Sequence, residues 1–303
     1  MLHIIIIFYI EGIDNLAYTN RTTTYVLCSQ RASCDLKKLR CGERLVKYRK
    51  KGLNNKQIIF TPHLKVKMSH IHTARQVVRY RDLGTIPYAE AWRLQSELNE
   101  SLKFAKRNPG MAPVVHELLF CEHLPVFTLG KSGSDAHLQI SDEDRLGKQI
   151  DFFRINRGGD ITYHGPGQIV GYPIFDLDYF FTDVHRYVRS LEEVVIRTLA
   201  LHGLEAGRIP GFTGVWMDWG SDRPRKICAI GVHMSRWVTM HGFAFNVNTD
   251  LSYYQHIVPC GIDTSRKPVT SMSKELGRTA GMEEVKRQLK ITFAEVFDFD
   301  YAE

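Results

Sequence analysis

The sequence predicts an α/β (α+β) fold, a mixed sheet flanked by helices, in a single domain that spans residues 68–303. Three observations support this prediction. Apolar residues recur at helical spacing in three long segments, and short apolar runs bounded by turn residues lie between those segments. Residues 1–67 sustain neither pattern, so we place the domain boundary after them.

Each helical segment starts or stops at residues with known capping preferences. We expect Thr85 to cap the first segment, which stops at residues 108–110 (Asn-Pro-Gly) because proline and glycine interrupt a helix. Asp183 opens the second segment, whose apolar residues continue to Gly203. The third segment extends over residues 281–297.

Apolar runs between the helical segments predict the strands of the sheet. They are rich in Val, Ile and Phe and are bounded by Gly, Pro or charged residues. The predicted strands are residues 77–82, 114–120, 126–129, 150–156, 214–219, 227–234 and 238–247.

The positive charge of the chain is concentrated in its first 67 residues. These hold 13 Lys and Arg against 4 Asp and Glu, whereas residues 68–303 hold 27 against 29. The predicted domain therefore lacks the excess of basic residues that a phosphate backbone requires, and we expect no nucleic-acid partner. One hypothesis is that Met68 is the true start of the protein; an organellar transit peptide is the competing interpretation.

The cysteines and the apolar run at the N-terminus bear on cellular location. The six cysteines form no CxxC pair and match no zinc-site spacing. The apolar residues 4–10 are too short to span a bilayer. We expect a cytoplasmic protein with reduced thiols that does not associate with membranes.

Residues 157–168 (RGGDITYHGPGQ) are the most unusual stretch of the chain. Five glycines within residues 157–171 allow the backbone to approach a ligand and direct its N–H groups towards it. Arg157 and His164 would add polar contacts. The alternative interpretation is a long connecting loop with a buried histidine. The stretch is neither a GxxxxGK[ST] phosphate loop nor a GxGxxG dinucleotide motif.

Two residues are candidates for nucleophilic chemistry. Cys260 lies between Pro259 and Gly261, which would present the thiol on a constrained turn with little neighbouring bulk. Lys226 precedes a predicted strand. Alone, a cysteine is more often a small buried hydrophobe and a lysine a solvated charge. Together, the ammonium would favour the thiolate and make Cys260 reactive near neutral pH.

Several ordered motifs between residues 77 and 277 resemble the lipoyl(octanoyl) transferase family, whose fold is that of the biotin and lipoate protein ligases. The matching segments are residues 122–130 (EHLPVFTLG), 157–168, 172–174 (YPI), 213–216 (TGVW), 226–232 (KICAIGV), 241–246 (HGFAFN) and 259–261 (PCG). Asp160 and the long N-terminal extension are departures from the family pattern. Neither affects the candidate nucleophile.

The resemblance implies a role for each matching residue. Cys260 would carry the acyl group as a thioester, and Lys226 would lower the pKa of its thiol and shuttle protons. The implied substrate-binding residues are Arg157, Gly158, Gly159, Asp160, Ile161, Thr162, Tyr163, His164, Ala229, Ile230, Gly231, Gly242, Phe243 and Ala244. Cys121 and Cys228 both lie within apolar runs, which favours a position in the core for each of them.

The resemblance also implies the partners. The donor would be octanoyl-acyl carrier protein. The acceptors would be lipoyl domains of 2-oxoacid dehydrogenase E2 subunits and the glycine cleavage H protein. Because a thioester donor is already activated, neither ATP nor a metal is expected. The alternatives are a lipoyl or octanoyl amidotransferase, an ATP-dependent lipoate protein ligase, and a module that binds lipoyl domains without catalysis.

Overall fold

The computed structural model describes residues 75–258 and 268–302 in full, and the backbone of three strands before them. The chain divides into two compact units, Met1–Met68 and Ser69–Glu303. Cys260 lies outside the described residues. The hypothesis that Met68 is the true start of the protein stays a prediction.

The described part of the first unit is a small sheet. Its strands are β1 (Ile4–Tyr9), β2 (Leu16–Thr19) and β3 (Thr23–Cys28). Strand β3 lies in the middle, parallel to β1 and antiparallel to β2.

The second unit contains two sheets. Its strands are β4 (Gln76–Ile86), β5 (His116–His123), β6 (Val126–Leu129), β7 (Asp151–Arg154), β8 (Ile161–His164), β9 (Gln168–Ile174), β10 (Ala206–Ile209), β11 (Phe212–Met217), β12 (Arg225–Ser235), β13 (Val238–Asn246) and β14 (Phe299–Tyr301). The large sheet has the order β10-β11-β12-β13-β9-β5-β4-β14, and the small sheet has the order β7-β6-β8. The large sheet is mixed, because β4 pairs in parallel with both β5 and β14 while its other pairs are antiparallel.

Helices cover both faces of the large sheet. They are α1 (Tyr88–Arg107), α2 (Asp142–Gly147), α3 (Val184–Leu201), α4 (Met272–Leu276) and α5 (Met282–Phe297). In β5, Leu118 and Phe120 pack in one core with α3 and α5, whereas Leu119 and Cys121 pack in another with α1. This alternation follows from the two-residue period of a strand. It explains why residues 118–121 of β5 form a continuous apolar run, and it confirms the predicted mixed sheet flanked by helices.

The long helices α3 and α5 follow their predicted bounds. Asp183 caps α3 by accepting a hydrogen bond from the N–H of Arg186, and Gly203 follows it in the left-handed conformation (φ 73°). On the apolar faces of these helices, Leu191 in α3 and Leu289 in α5 are completely buried. The predicted core positions of Cys121 and Cys228 are also confirmed, since neither side chain is exposed.

Two local predictions are wrong. Thr85 does not cap α1: it lies within β4 opposite Glu122, and α1 begins at Tyr88 after Pro87. The β-branched side chain fits the extended ladder, which continues past a bulge to Ile86. The glycine-rich stretch is not one long loop either, because β8 and the start of β9 lie within it.

None of the helices in the described part of the chain combines the length and the apolar character that crossing a bilayer requires.

Candidate active site

A cavity of about 500 Å³ lies between the glycine-rich stretch and the hairpin of β12 and β13. Its wall contains all but one of the predicted substrate-binding residues: Arg157, Gly158, Gly159, Asp160, Ile161, Thr162, His164, Ala229, Ile230, Gly231, Gly242, Phe243 and Ala244. Lys226 lies in the same wall. Residues from three separated segments of the sequence thus meet around one space, whose volume is typical of small-molecule sites.

Tyr163 is the exception. Its ring stacks on that of Tyr253, with centroids 4.6 Å apart and planes 5° from parallel, in a core beneath the small sheet. In β8, Thr162 and His164 lie on one face and line the cavity, whereas Tyr163 lies on the other face. Ile161 shares the core of Tyr163 but, at the start of the strand, also contributes to the cavity wall. The structure therefore does not bring Tyr163 into the cavity with its neighbours.

Lys226 is held at the start of β12 by both its backbone and its side chain. Its N–H donates to the carbonyl of Pro268 (2.9 Å), and its carbonyl accepts from the N–H of Thr270 (2.9 Å). The ammonium Nζ lies 4.6 Å from the centroid of the Trp216 ring, within cation–π range. Lys226 is thus tied to the chain that follows residues 259–267, while its contact with Cys260 stays a prediction.

The guanidinium of Arg157 is buried in the cavity wall. Nη2 donates to the carbonyl (2.6 Å) and hydroxyl (3.0 Å) oxygens of Thr128, and Nη1 donates to the carbonyl of Gly158 (3.1 Å). These bonds fix the start of the glycine-rich stretch against β6.

The N–H groups of the glycine-rich stretch are less available than we expected. The N–H of Gly158 donates to the carbonyl of Val232 (2.9 Å), and that of Gly167 donates to a carboxylate oxygen of Glu122 (2.7 Å). The prediction that the backbone N–H groups point towards a ligand is therefore wrong for Gly158 and Gly167. Their N–H groups instead fasten the stretch to β12 and β5.

Two buried histidines, His164 and His241, line the cavity, and the ring of a third, His123, contacts that of His164; all three are neutral near pH 7. Burial lowers the pKa of His123 to about 4 and that of His241 to about 3, and it holds the pKa of His164 well below its usual value. His241 also adopts a left-handed backbone (φ 59°) within a buried strand, and its Nε2 lies 2.7 Å from the side-chain oxygen of Asn156. His164 and His241 line the cavity without bringing a positive charge to it.

Glycines allow close approach of the strands beneath the cavity. Gly231 pairs directly with Gly242 across β12 and β13. A Cβ on Gly242 would lie 2.1 Å from the carbonyl oxygen of Gly171 in β9, and one on Gly231 would lie 2.9 Å from that of Gly158. Larger residues at these positions would force the backbones apart.

In the described part of the chain, no group of three or more His, Cys, Asp or Glu side chains could hold a metal ion.

Comparison with a family model identifies the protein family, which the geometry of the cavity alone does not. The model of the lipoyl protein ligase A/B catalytic domain matches residues 87–294. The chain belongs to this family. The resemblance of the motifs is thereby confirmed.

Close relatives of this ligase A/B family member are named octanoyltransferase. The protein from Christiangramia forsetii is 53% identical over 225 residues, which cover 73% of this chain and 95% of the relative. The protein from Cytophaga hutchinsonii is 53% identical over 230 residues, covering 73% of this chain and 92% of the relative. A third, from Parabacteroides distasonis, is 51% identical over 220 residues, covering 72% and 98%.

Solved structures of lipoate protein ligases share the fold. The bipartite lipoate protein ligase of Thermoplasma acidophilum matches with a TM-score of 0.56 and 19% identity, over 75% of this chain and 86% of the ligase. Lipoate-protein ligase A bound with ATP matches with a TM-score of 0.55 and 18% identity, over 76% and 88%. At this identity the likeness establishes the fold of the ligase A/B family member, and nothing about its substrates.

Sequence reasoning missed several residues in the cavity wall of this ligase A/B family member. They are Tyr88, Val170, Tyr172, Phe212, Asn246 and Tyr254. Tyr172 and Asn246 stand within the quoted motifs, so their positions could have been included. Phe212 directly precedes the motif at residues 213–216, whereas Tyr88 comes from α1, and no local pattern predicts that this helix reaches the cavity.

Proposed function

We propose that the chain is an octanoyltransferase that moves an octanoyl group from octanoyl-acyl carrier protein to a specific lysine of a lipoyl domain. The observation that carries this proposal is the cavity where Lys226 meets the glycine-rich stretch and the hairpin of β12 and β13. The cavity combines apolar side chains that could hold an acyl chain with two cationic side chains, Lys226 and Arg157. The sequence identity of 51–53% between this chain and the three octanoyltransferases supports the same activity.

The proposed reaction has two half-reactions through Cys260. The Cys260 thiolate attacks the thioester carbonyl of the donor and the bond to the carrier sulfur breaks. The carrier leaves as a thiol after it takes a proton from the Lys226 ammonium, which leaves the Lys226 amine neutral for the second half-reaction. The lysine amine of the acceptor then attacks the acyl-enzyme. An amide bond forms, the bond to Cys260 breaks, and the amine loses a proton to Lys226.

Two physical arguments support Cys260 as the nucleophile. Burial raises the pKa of the Cys121 and Cys228 thiols, so neither supplies a thiolate at neutral pH. Lys226 is anchored through Pro268, only eight residues after Cys260 in the chain. An ammonium near the Cys260 thiol would stabilise its thiolate.

The thioester donor provides the driving force in this scheme, so the proposal includes neither ATP nor a metal. The proposed acceptors are the lipoyl domains of 2-oxoacid dehydrogenase E2 subunits and the glycine cleavage H protein. The proposed place of action is the cytoplasm, where thiols stay reduced.

Trapping the acyl-enzyme tests the covalent step. The full chain is incubated with octanoyl-acyl carrier protein, without ATP, and its intact mass is measured before an acceptor is added. We expect one octanoyl group on Cys260, which disappears when a lipoyl domain is supplied. Cys260→Ser should accumulate no thioester; normal transfer by this variant would contradict covalent catalysis. Transfer that requires ATP would instead indicate a ligase.

Replacing Lys226 tests its part in proton transfer. We expect Lys226→Ala to lower kcat roughly 10²-fold, the usual size of a general acid–base contribution. Lys290→Ala is the matched control, because Lys290 also packs its ammonium on an aromatic ring, 4.1 Å from the centroid of Tyr80, but outside the cavity wall. Equal turnover by the two variants would remove Lys226 from the mechanism.

A further inference from the structure

A buried row of hydrogen bonds leads from the cavity wall to the chain beside Lys226. His164 Nδ1 lies 2.8 Å from Gln168 Oε1, and Gln168 Nε2 donates to Asn246 Oδ1 (2.9 Å). Asn246 Nδ2 donates in turn to the carbonyl of Thr270 (3.0 Å). His164, Gln168, Asn246 and Thr270 are all at most 6% exposed.

Backbone carbonyls at two points fix the direction of this row. Gln168 Nε2 also donates to the carbonyl of Tyr163 (3.1 Å), and Asn246 Nδ2 faces the carbonyl of Thr270. Only the amide nitrogens can face those carbonyls, so each amide has a single satisfactory orientation. Gln168 Oε1 therefore points at His164, whose Nδ1 must carry the proton and donate.

Thr270 connects the row of hydrogen bonds to Lys226 and to its neighbour Arg225. The N–H of Thr270 donates to the Lys226 carbonyl (2.9 Å), and its hydroxyl donates to Glu275 (2.6 Å). Glu275 accepts two hydrogen bonds from Arg225, the neighbour of Lys226, each 2.9 Å long. The carbonyl, the N–H and the hydroxyl of Thr270 are thus all engaged, and two of the three contacts lead to residues 225–226.

We propose that Gln168 and Asn246 are positioning residues, which hold Lys226 in register with the cavity wall by bonding His164 on one side and Thr270 on the other. This inference rests on the proposed function of Lys226. Without the side chain of Asn246, the Thr270 carbonyl loses its buried donor, and the segment that fixes Lys226 can shift. An ammonium displaced by 1 Å or so would serve the thiol and the acceptor amine less well.

Asn248 provides a matched control two residues further along the chain. Its side chain makes an equivalent clasp, donating to the carbonyl of Ala280 (2.8 Å) and accepting from the N–H of the same residue (3.0 Å). That clasp fastens the turn before α5, and Asn248 is not in the cavity wall. Asn248→Ala removes as many side-chain hydrogen bonds without touching the row.

The test compares Asn246→Ala with Asn248→Ala in the full chain. Steady-state kinetics are measured with octanoyl-acyl carrier protein and a lipoyl domain, and iodoacetamide alkylation is followed at each cysteine by peptide mass spectrometry at pH 7. For Asn246→Ala we expect kcat and the alkylation rate of Cys260 to fall about tenfold, the thiolate change that one pKa unit produces. The KM for the lipoyl domain should stay the same. Asn248→Ala should match the unaltered enzyme.

A merely structural role gives the opposite result. A loosened fold would speed alkylation, and it would do so first at the buried Cys121 and Cys228. Faster labelling of those thiols in Asn246→Ala, or identical Cys260 labelling in both variants, would overturn the positioning role. If Asn246→Ala loses its cooperative unfolding transition, Asn246→Asp takes its place. It keeps the acceptor for Gln168 and lacks the donor for Thr270.

The unaltered enzyme separates the two proposals. No octanoyl transfer by the unaltered chain would overturn the proposed function. Transfer by the unaltered chain, together with equal kcat and equal Cys260 labelling in the Asn246 and Asn248 variants, would overturn only the positioning role.

Discussion

A substitution at Gly242 tests most directly whether β13 and β9 lie too close together for a larger residue. The Gly171 oxygen that a Cβ there would meet belongs to β9, which is paired on both sides and cannot withdraw. We expect Gly242→Ala to lower the free energy of unfolding by roughly 1–3 kcal/mol, the cost of overpacking. Urea unfolding would measure this change.

Gly147→Ala is the control for that measurement. Gly147 is the last residue of α2, and a Cβ there would have no heavy atom within 4 Å. Alanine in a helix restricts the unfolded chain, so we expect this variant to be unchanged or up to about 1 kcal/mol more stable. A Gly242 variant as stable as the Gly147 variant would show that the sheet adjusts without strain.

The motifs identified most residues of the cavity wall, and Tyr163 shows where such an approach fails. A contiguous motif marks every residue in it alike, whereas a strand directs successive side chains to opposite faces. Knowledge that residues 161–164 form a strand would have separated Tyr163 from His164. Asn246 was within a quoted motif, but its link to Thr270 depends on tertiary contacts that no spacing encodes.

At the scale of elements, the sequence predicted best where the signal is local. Periodic apolar residues located α1, α3 and α5, because each helix forms its hydrogen bonds within its own segment. Strand β9 was missed because Gly171 and Pro173 interrupt its apolar pattern. Strand β8 was missed because it is only four residues long and pairs with β6, more than thirty residues earlier. The three-residue β14 is too short to give a pattern of its own.

At the scale of the whole molecule, the buried histidines predict how stability depends on pH. His123 and His241 stay neutral in the folded state, with pKa values of about 4 and about 3, but take up protons near pH 6.5 when unfolded. Between these values the unfolded state binds more protons, so stability falls as the pH falls. Each histidine should lower the free energy of unfolding by about 2 kcal/mol between pH 6.5 and pH 5.

Urea unfolding from pH 8 to pH 5 would check this expectation. The free energy of unfolding should be level above about pH 7 and decline below it. Glu193 and Glu275, whose pKa values are lowered by bonded arginines, add to the decline only below about pH 4.5. In His123→Gln, the free energy of unfolding should decline by about 2 kcal/mol less between pH 6.5 and pH 5, because one of the two histidines is removed. A level curve down to pH 5 would show that these imidazoles are already charged in the folded protein.

Strand β14 has a consequence for the order in which the protein takes shape during its synthesis. Its residue Phe299 is completely buried and pairs with Gln76, at the start of the first strand of the catalytic unit. That outer edge of β4 lacks its neighbour until residues 299–301 have left the ribosome. A nascent chain that does not yet include these residues therefore has an unpaired sheet edge, a surface that chaperones commonly shield.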